Sequence, residues 1–110
     1  MEKWALIFPG QGSQFVGMGG DFYRDYPSYR TIFARAQAVT GVDIARLCLE
    51  GPAADLDQTV NTQLAVLTFE LAAYELFREH IPSAPAVAAG HSLGEYSALY
   101  AAGALGLEDA

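Results

Sequence analysis

Gly90-His91-Ser92-Leu93-Gly94 is the stretch of this chain best equipped for chemistry. The short apolar run Ala86-Val87-Ala88-Ala89 precedes it and Glu95-Tyr96-Ser97-Ala98-Leu99-Tyr100-Ala101-Ala102 follows. A buried strand stops, the chain turns sharply and a helix begins. Gly-x-Ser-x-Gly in that setting is a nucleophile elbow, in which a strained turn pushes the serine hydroxyl into the open. Gly90 and Gly94 flank Ser92 where strand and helix approach too closely for a Cβ. The Leu93 N–H, at the start of the helix, points to where an oxyanion would form, and the helix dipole assists it. The plain alternative is a turn that happens to contain a serine; the strand before and the helix after favour the catalytic reading.

The first of the elements that must position Ser92 is Trp4-Ala5-Leu6-Ile7-Phe8, a continuous apolar run closed by Pro9-Gly10. It reads as a central strand buried on both faces. The loop Gly10-Gln11-Gly12-Ser13-Gln14 follows. A dinucleotide fingerprint needs glycine where Phe15 stands, and a Walker A loop needs a lysine that is absent, so phosphate cradling is rejected. Its glycines still imply an unusual backbone with N–H groups free to face a ligand.

Helices are expected over Gly17 to Tyr26, Ser28 to Val39 and Val42 to Leu49, punctuated by Pro27, Gly41 and Gly51-Pro52. Phe22, Tyr23, Tyr26, Tyr29 and Phe33 are taken as core aromatics. Ala53 to Val60 reads as a loop whose Asp55 and Asp57 are a metal pair or, more simply, solvated. Asn61 or Thr62 then caps a helix running to His80, roughly 30 Å long. Leu64, Leu67, Leu71 and Tyr74 form one stripe on it, and Val66, Phe69, Ala73 and Phe77 a second, so it is covered on more than one side. Ile81-Pro82-Ser83-Ala84-Pro85 is the turn into the elbow strand. After Gly103, Leu105 to Ala110 reads as a turn entering another helix, which suggests a fragment or a separately encoded remainder. The fold class is α/β: a parallel sheet with flanking helices, in which Trp4–Phe8 and Ala86–Ala89 are neighbouring strands with converging C-terminal ends.

Composition narrows the rest. A chain of 110 residues with 52% apolar residues builds one domain at most, and 17% charged is low for a soluble domain. A net charge of −7, with six scattered basic residues, argues against nucleic acid. Cys48 is the only cysteine, which excludes an internal disulfide and a thiolate metal site; it reads as a small buried hydrophobe. Met1-Glu2-Lys3-Trp4 lacks a signal-peptide h-region and no apolar run nears membrane-spanning length, so a cytoplasmic location is expected.

Three stretches together carry a resemblance: Phe8-Pro9-Gly10-Gln11-Gly12-Ser13-Gln14, Asn61-Thr62-Gln63-Leu64-Ala65 and Gly90-His91-Ser92-Leu93-Gly94-Glu95-Tyr96. In order and spacing the chain resembles the malonyl-CoA:acyl carrier protein transacylase family, the acyltransferases of bacterial fatty acid synthesis and polyketide assembly. The resemblance implies a hydrolase-like α/β core, of which residues 1–110 would be the N-terminal portion of the large subdomain, with a ferredoxin-like small subdomain and a C-terminal part outside it. It implies that Ser92 takes malonyl from coenzyme A as an ester and passes it to the phosphopantetheine thiol of acyl carrier protein. Gln11 and Leu93 would supply the oxyanion-hole N–H groups, each worth about 3 kcal/mol in the transition state. Gln63 would lie near the pocket or bond the backbone at the helix start. No resident cofactor or metal is implied, and the partners would be acyl carrier protein and a coenzyme A thioester.

The family's histidine base and its carboxylate-gripping arginine would lie beyond Ala110. His91 adjoins Ser92 but, as a neighbour on a strand end, is ill aimed to take its proton, so a pocket-lining or structural role suits it better. His80 is explained by the helix dipole. Without a base Ser92 is a weak nucleophile, and the 110 residues alone should be close to inactive. Two other readings remain: a serine hydrolase or thioesterase of α/β-hydrolase type, which would have no reason to carry Phe8–Gln14, and a non-catalytic truncated paralogue.

Overall fold

β1 (Ala5–Phe8) and β2 (Val87–Gly90) pair in parallel, with Ala5 opposite Val87 and Phe8 opposite Gly90. The computed structural model describes residues 5–81 and 87–110; Trp4, Ala86 and residues 82–85, where a turn is expected, lie outside the described residues. Adjacent parallel strands need a long crossover, and here it carries five helices: α1 (Gly20–Asp25), α2 (Pro27–Thr40), α3 (Ile44–Glu50), α4 (Ala53–Leu56) and α5 (Thr59–His80). The elbow helix α6 (Gly94–Ala101) follows β2.

Local chemistry explains most boundaries. Pro27 opens α2, where its missing N–H costs nothing. Gly41 closes α2 at φ 75°, its N–H returning to the Gln37 carbonyl at 2.8 Å. Asp43 caps α3 by accepting from the Arg46 N–H at 3.1 Å. Gly19 combines φ 74° with a close approach: a Cβ there would fall 2.1 Å from the Tyr29 hydroxyl. Only glycine meets both demands.

The main core lies between α2, α3 and α5, where Tyr29, Ile32, Phe33, Ile44, Cys48 and Ala65 are buried. Each large aliphatic there contributes about 1.5–3 kcal/mol. Cys48 behaves as the hydrophobe expected, its thiol pushed up to about 12 by burial. A second cluster of Phe8, Tyr74 and Ala98 joins the sheet to α5 and α6.

Several expectations are corrected. The strands are not buried on both faces: Ile7 is 80% exposed and Val87 58%. Among the described residues the sheet has only two strands, so each has an open edge and faces that helices cover only in part. Residues 53–56 form a short helix rather than a loop. Asn61 and Thr62 do not cap α5, which already starts at Thr59, after Gln58. Instead the Asn61 amide donates to the Asp55 carbonyl at 2.9 Å and the Thr62 hydroxyl to the Leu56 carbonyl, tying α5 to α4. Phe22 and Tyr26 are exposed, because they wall an open groove beside β1 instead of entering the core. As expected, residues 105–110 make a turn, the Ala110 N–H donating to the Gly106 carbonyl at 3.2 Å. Among the described residues no helix is long and apolar enough to cross a membrane.

Candidate active site

The ladder between β1 and β2 runs one step past the strands, the His91 N–H donating to the Phe8 carbonyl at 3.1 Å. The chain then reverses within a single residue. Ser92 has φ 52°, the only left-handed non-glycine residue among those described, and its side chain is exposed. Such a conformation costs about 1–3 kcal/mol and persists only where surroundings enforce it. The enforcement is visible on both flanks. The Gly94 N–H bonds the His91 carbonyl at 3.0 Å and the Glu95 N–H the Ser92 carbonyl at 3.0 Å, so a helical turn begins at once. A Cβ on Gly90 would lie 2.0 Å from the Gly94 carbonyl oxygen, and one on Gly94 would lie 2.2 Å from that of Phe8. Strand, turn and helix meet backbone to backbone, as the spacing of the two glycines predicts.

The first loop leans on this elbow from β1. Gly10 is buried, and a Cβ on it would sit 2.5 Å from the His91 carbonyl oxygen and 3.4 Å from His91 Nδ1. Beyond Gly10 the loop is held by its own side chains. Ser13 Oγ donates to the Gly10 carbonyl at 2.8 Å. The Gly12 N–H donates to Gln14 Oε1 at 2.8 Å, and Gln14 Nε2 donates to Asp57 Oδ1 at 3.0 Å. Asp57 therefore anchors the loop; among the described residues no group of three or more His, Cys, Asp or Glu side chains is placed to hold a metal. Among the described residues, neither the Gln11 nor the Leu93 N–H donates a hydrogen bond to the protein. Both belong to the two loops that meet at the Gly10–His91 contact.

The loop that carries Gln11 and the turn that carries His91, Ser92 and Leu93 thus meet, through Gly10 and His91, at the C-terminal edge of the sheet. Gln63 does not join them by any hydrogen bond among the described residues; it is exposed in the first turns of α5. The His91 imidazole lies over Gly10 and makes no hydrogen bond to Ser92 among the described residues. His80 is turned away, its Nδ1 3.0 Å from the Leu76 carbonyl and its ring edge-on to Tyr26. The described arginines are engaged elsewhere. Arg24, Arg35, Arg46 and Arg78 pair with carboxylates, and Arg30 donates to the Tyr23 and Arg24 carbonyls.

One residue of the site's support escaped the sequence reading. Glu70 of α5 is 4% exposed and accepts from Ser97 Oγ of α6 at 2.7 Å. Burial without a cationic neighbour pushes its carboxyl up to about 7. The signal was present, since Glu70 stands one helical turn from both Val66 and Tyr74, on a face otherwise apolar.

The geometry has close counterparts. The acyl transferase domain family matches residues 5–110. Over 110 residues the chain is 48% identical to the malonyl CoA-acyl carrier protein transacylase of Escherichia coli O157:H7, covering 100% of this chain and 36% of that protein. It is 44% identical to the same-named protein of Bacillus subtilis, covering 100% of this chain and 28% of that one. The acyl-carrier-protein S-malonyltransferase structure from Burkholderia pseudomallei 1710b superposes with a TM-score of 0.94 at 44% identity, over 98% of this chain and 35% of that one. A malonyl-transacylase in complex with a type II polyketide acyl-carrier protein superposes with a TM-score of 0.91 at 41% identity, over 97% of this chain and 35% of that one. The chain spans about a third of the length of the relatives it matches.

Proposed function

Because the chain belongs to the acyl transferase domain family, we propose that it carries the nucleophile of a malonyl-CoA:acyl carrier protein transacylase. Ser92 Oγ attacks the thioester carbonyl of malonyl-CoA and gives its proton to a base. The N–H groups of Gln11 and Leu93 receive the tetrahedral oxyanion. The C–S bond breaks, coenzyme A leaves as the thiol after taking up the proton, and malonyl remains as an ester on Ser92. The phosphopantetheine thiol of acyl carrier protein then attacks the ester, its proton returns to Ser92, and the thioester forms on the carrier. His91 lines the mouth of this site and Gln63 its approach.

The observation that carries the reading is the exposed, left-handed Ser92, with two loops in contact behind it and an unengaged N–H in each. The base and the arginine for the malonyl carboxylate are assigned to the rest of the enzyme. No described imidazole bonds Ser92 and the described arginines are engaged elsewhere, so the 110 residues alone are expected to acylate slowly. In this reading they form the N-terminal portion of the larger α/β subdomain.

Radiolabelled malonyl-CoA tests this, with the chain supplied at its relatives' full length. Label is expected to enter as an ester on Ser92 and to pass to holo acyl carrier protein. Ser92→Ala is expected to abolish both steps. Steady release of free coenzyme A without carrier would make the protein a hydrolase, and labelling undiminished in Ser92→Ala would remove Ser92 from the chemistry.

A further inference from the structure

Among the described residues Glu70 is the only buried carboxylate. Its two oxygens have different surroundings: Oε1 accepts from Ser97 Oγ at 2.7 Å, whereas Oε2 is buried without a partner. Ser97 is itself fully buried, on α6 just beyond the Ser92 turn. Glu70 also walls two cavities. One of about 210 Å³ lies under the first loop with Pro9 and Ser13, and one of about 500 Å³ runs along β1 with Phe8 and Tyr74. It therefore stands where the long helix, the elbow helix, β1 and the first loop meet.

A neutral carboxyl suits that place. It accepts from Ser97 through one oxygen and keeps its proton on the other. Ionised, it would be a buried charge with a single hydrogen bond, and such a charge is stable only when paired. The groups that face it offer little compensation. Ser97 comes from α6, Ser13 from the first loop and Tyr26 from the junction of α1 and α2, while Tyr74 and His80 share α5 with it. Ser13 already donates to the Gly10 carbonyl and Tyr74 to the Ala101 carbonyl, and no arginine lines either cavity.

We propose that Glu70 is a positioning residue for Ser92: uncharged, it packs between α5 and the elbow helix with Ser97 bonded to Oε1. Its ionisation puts an unpartnered charge on the buried Oε2 that draws water into the two cavities it walls and loosens the elbow helix and the loop beside it. The proposal rests on the reading of Ser92 as the acyl acceptor. The carboxyl's ordinary value of 4.5 is raised to about 7 in the folded chain. As pH rises the unfolded chain gives up this proton first, so stability falls from 4.5 upward and levels off above about 7.

The test uses the chain at its relatives' full length and follows malonyl ester formation on Ser92, and thermal melting, on both sides of pH 7. In the unaltered protein kcat is expected to decline above about 7 with KM unchanged. Glu70→Gln mimics the neutral acid, so the decline should vanish while the acid-side rate stays within about twofold. Ser97→Ala removes the one donor that favours the ionised form, so the midpoint should move to higher pH. A Glu70→Gln profile that keeps the alkaline decline, or a Ser97→Ala midpoint that stays or falls, overturns the proposal. If no variant forms an ester on Ser92, the reading of Ser92 fails instead, and melting alone decides for Glu70. Curves for the unaltered protein and Glu70→Gln that coincide below about 4.5, diverge steadily up to about 7 and keep a constant gap above it support the proposal; a gap that does not change with pH overturns it.

Discussion

At position 10 a single added carbon separates folding from function. The Cβ of Gly10→Ala would meet the His91 carbonyl oxygen at 2.5 Å, and the rigid elbow cannot yield because Gly90 and Gly94 are already in backbone contact. The first loop must lift instead, carrying the Gln11 N–H away from its proposed place at the Ser92 oxyanion. We expect kcat to fall by about 10²–10³-fold, the cost of misplacing one oxyanion donor. The melting temperature should fall by only a few degrees, because the loop contributes little to the core. Steady-state kinetics and melting on the same preparation check this; a large loss of fold with residual activity in proportion would show that the contact is merely structural. The elbow was legible in the sequence because its chemistry is written in residue types: a serine that must be left-handed sits between two glycines that must lack side chains. Glu70 was not, because a carboxylate on a helix is ordinarily solvated and only tertiary packing decides that this one is enclosed.

At the scale of elements, α5 organises the molecule, packing against α2 and α3 on one side and against α6 on the other. Its start is set by α4. Thr62 is fully buried and donates to the Leu56 carbonyl, so Thr62→Val keeps the shape and orphans that acceptor. A loss of about 1–3 kcal/mol is expected in urea titrations. Asn61→Ala, at a more accessible site, should cost less; equal losses would mean that packing rather than the hydrogen bond matters. The helices α2, α3 and α5 were foreseen because proline, glycine and apolar spacing mark them. What misled was the polar pair at 61 and 62. Capping rules recognise a side chain able to bond backbone, but not which backbone, and a helix as short as α4 leaves no periodicity to read. The two apolar stripes foreseen on α5 merge into one broad covered surface, from which Phe77 is 40% exposed.

For the whole molecule, burial and charge pull in opposite directions. Ile7 at 80%, Val87 at 58% and Leu99 at 46% exposure give the sheet and elbow helix an uncovered apolar side, while the net charge of −7 opposes association. Charges spread over a surface are screened beyond about 8 Å at physiological salt, so the apolar term should win. The isolated 110 residues are expected to self-associate in sedimentation velocity as concentration rises. Ile7→Lys, a charge on an open strand, should suppress it. A chain that stays monomeric throughout would mean that this side carries no appreciable cohesion.

The parallel register of β1 with β2 bears on the order of events at the ribosome. β1 is made before its pairing strand, which follows only after the five intervening helices. Contacts between sequence-distant segments are slow to form, whereas the intervening helices can consolidate as they emerge. The nascent polypeptide therefore carries a helical lobe with an unzipped leading strand. The turn at Ser92 acquires its surroundings only once both strands are made, after the helices between them.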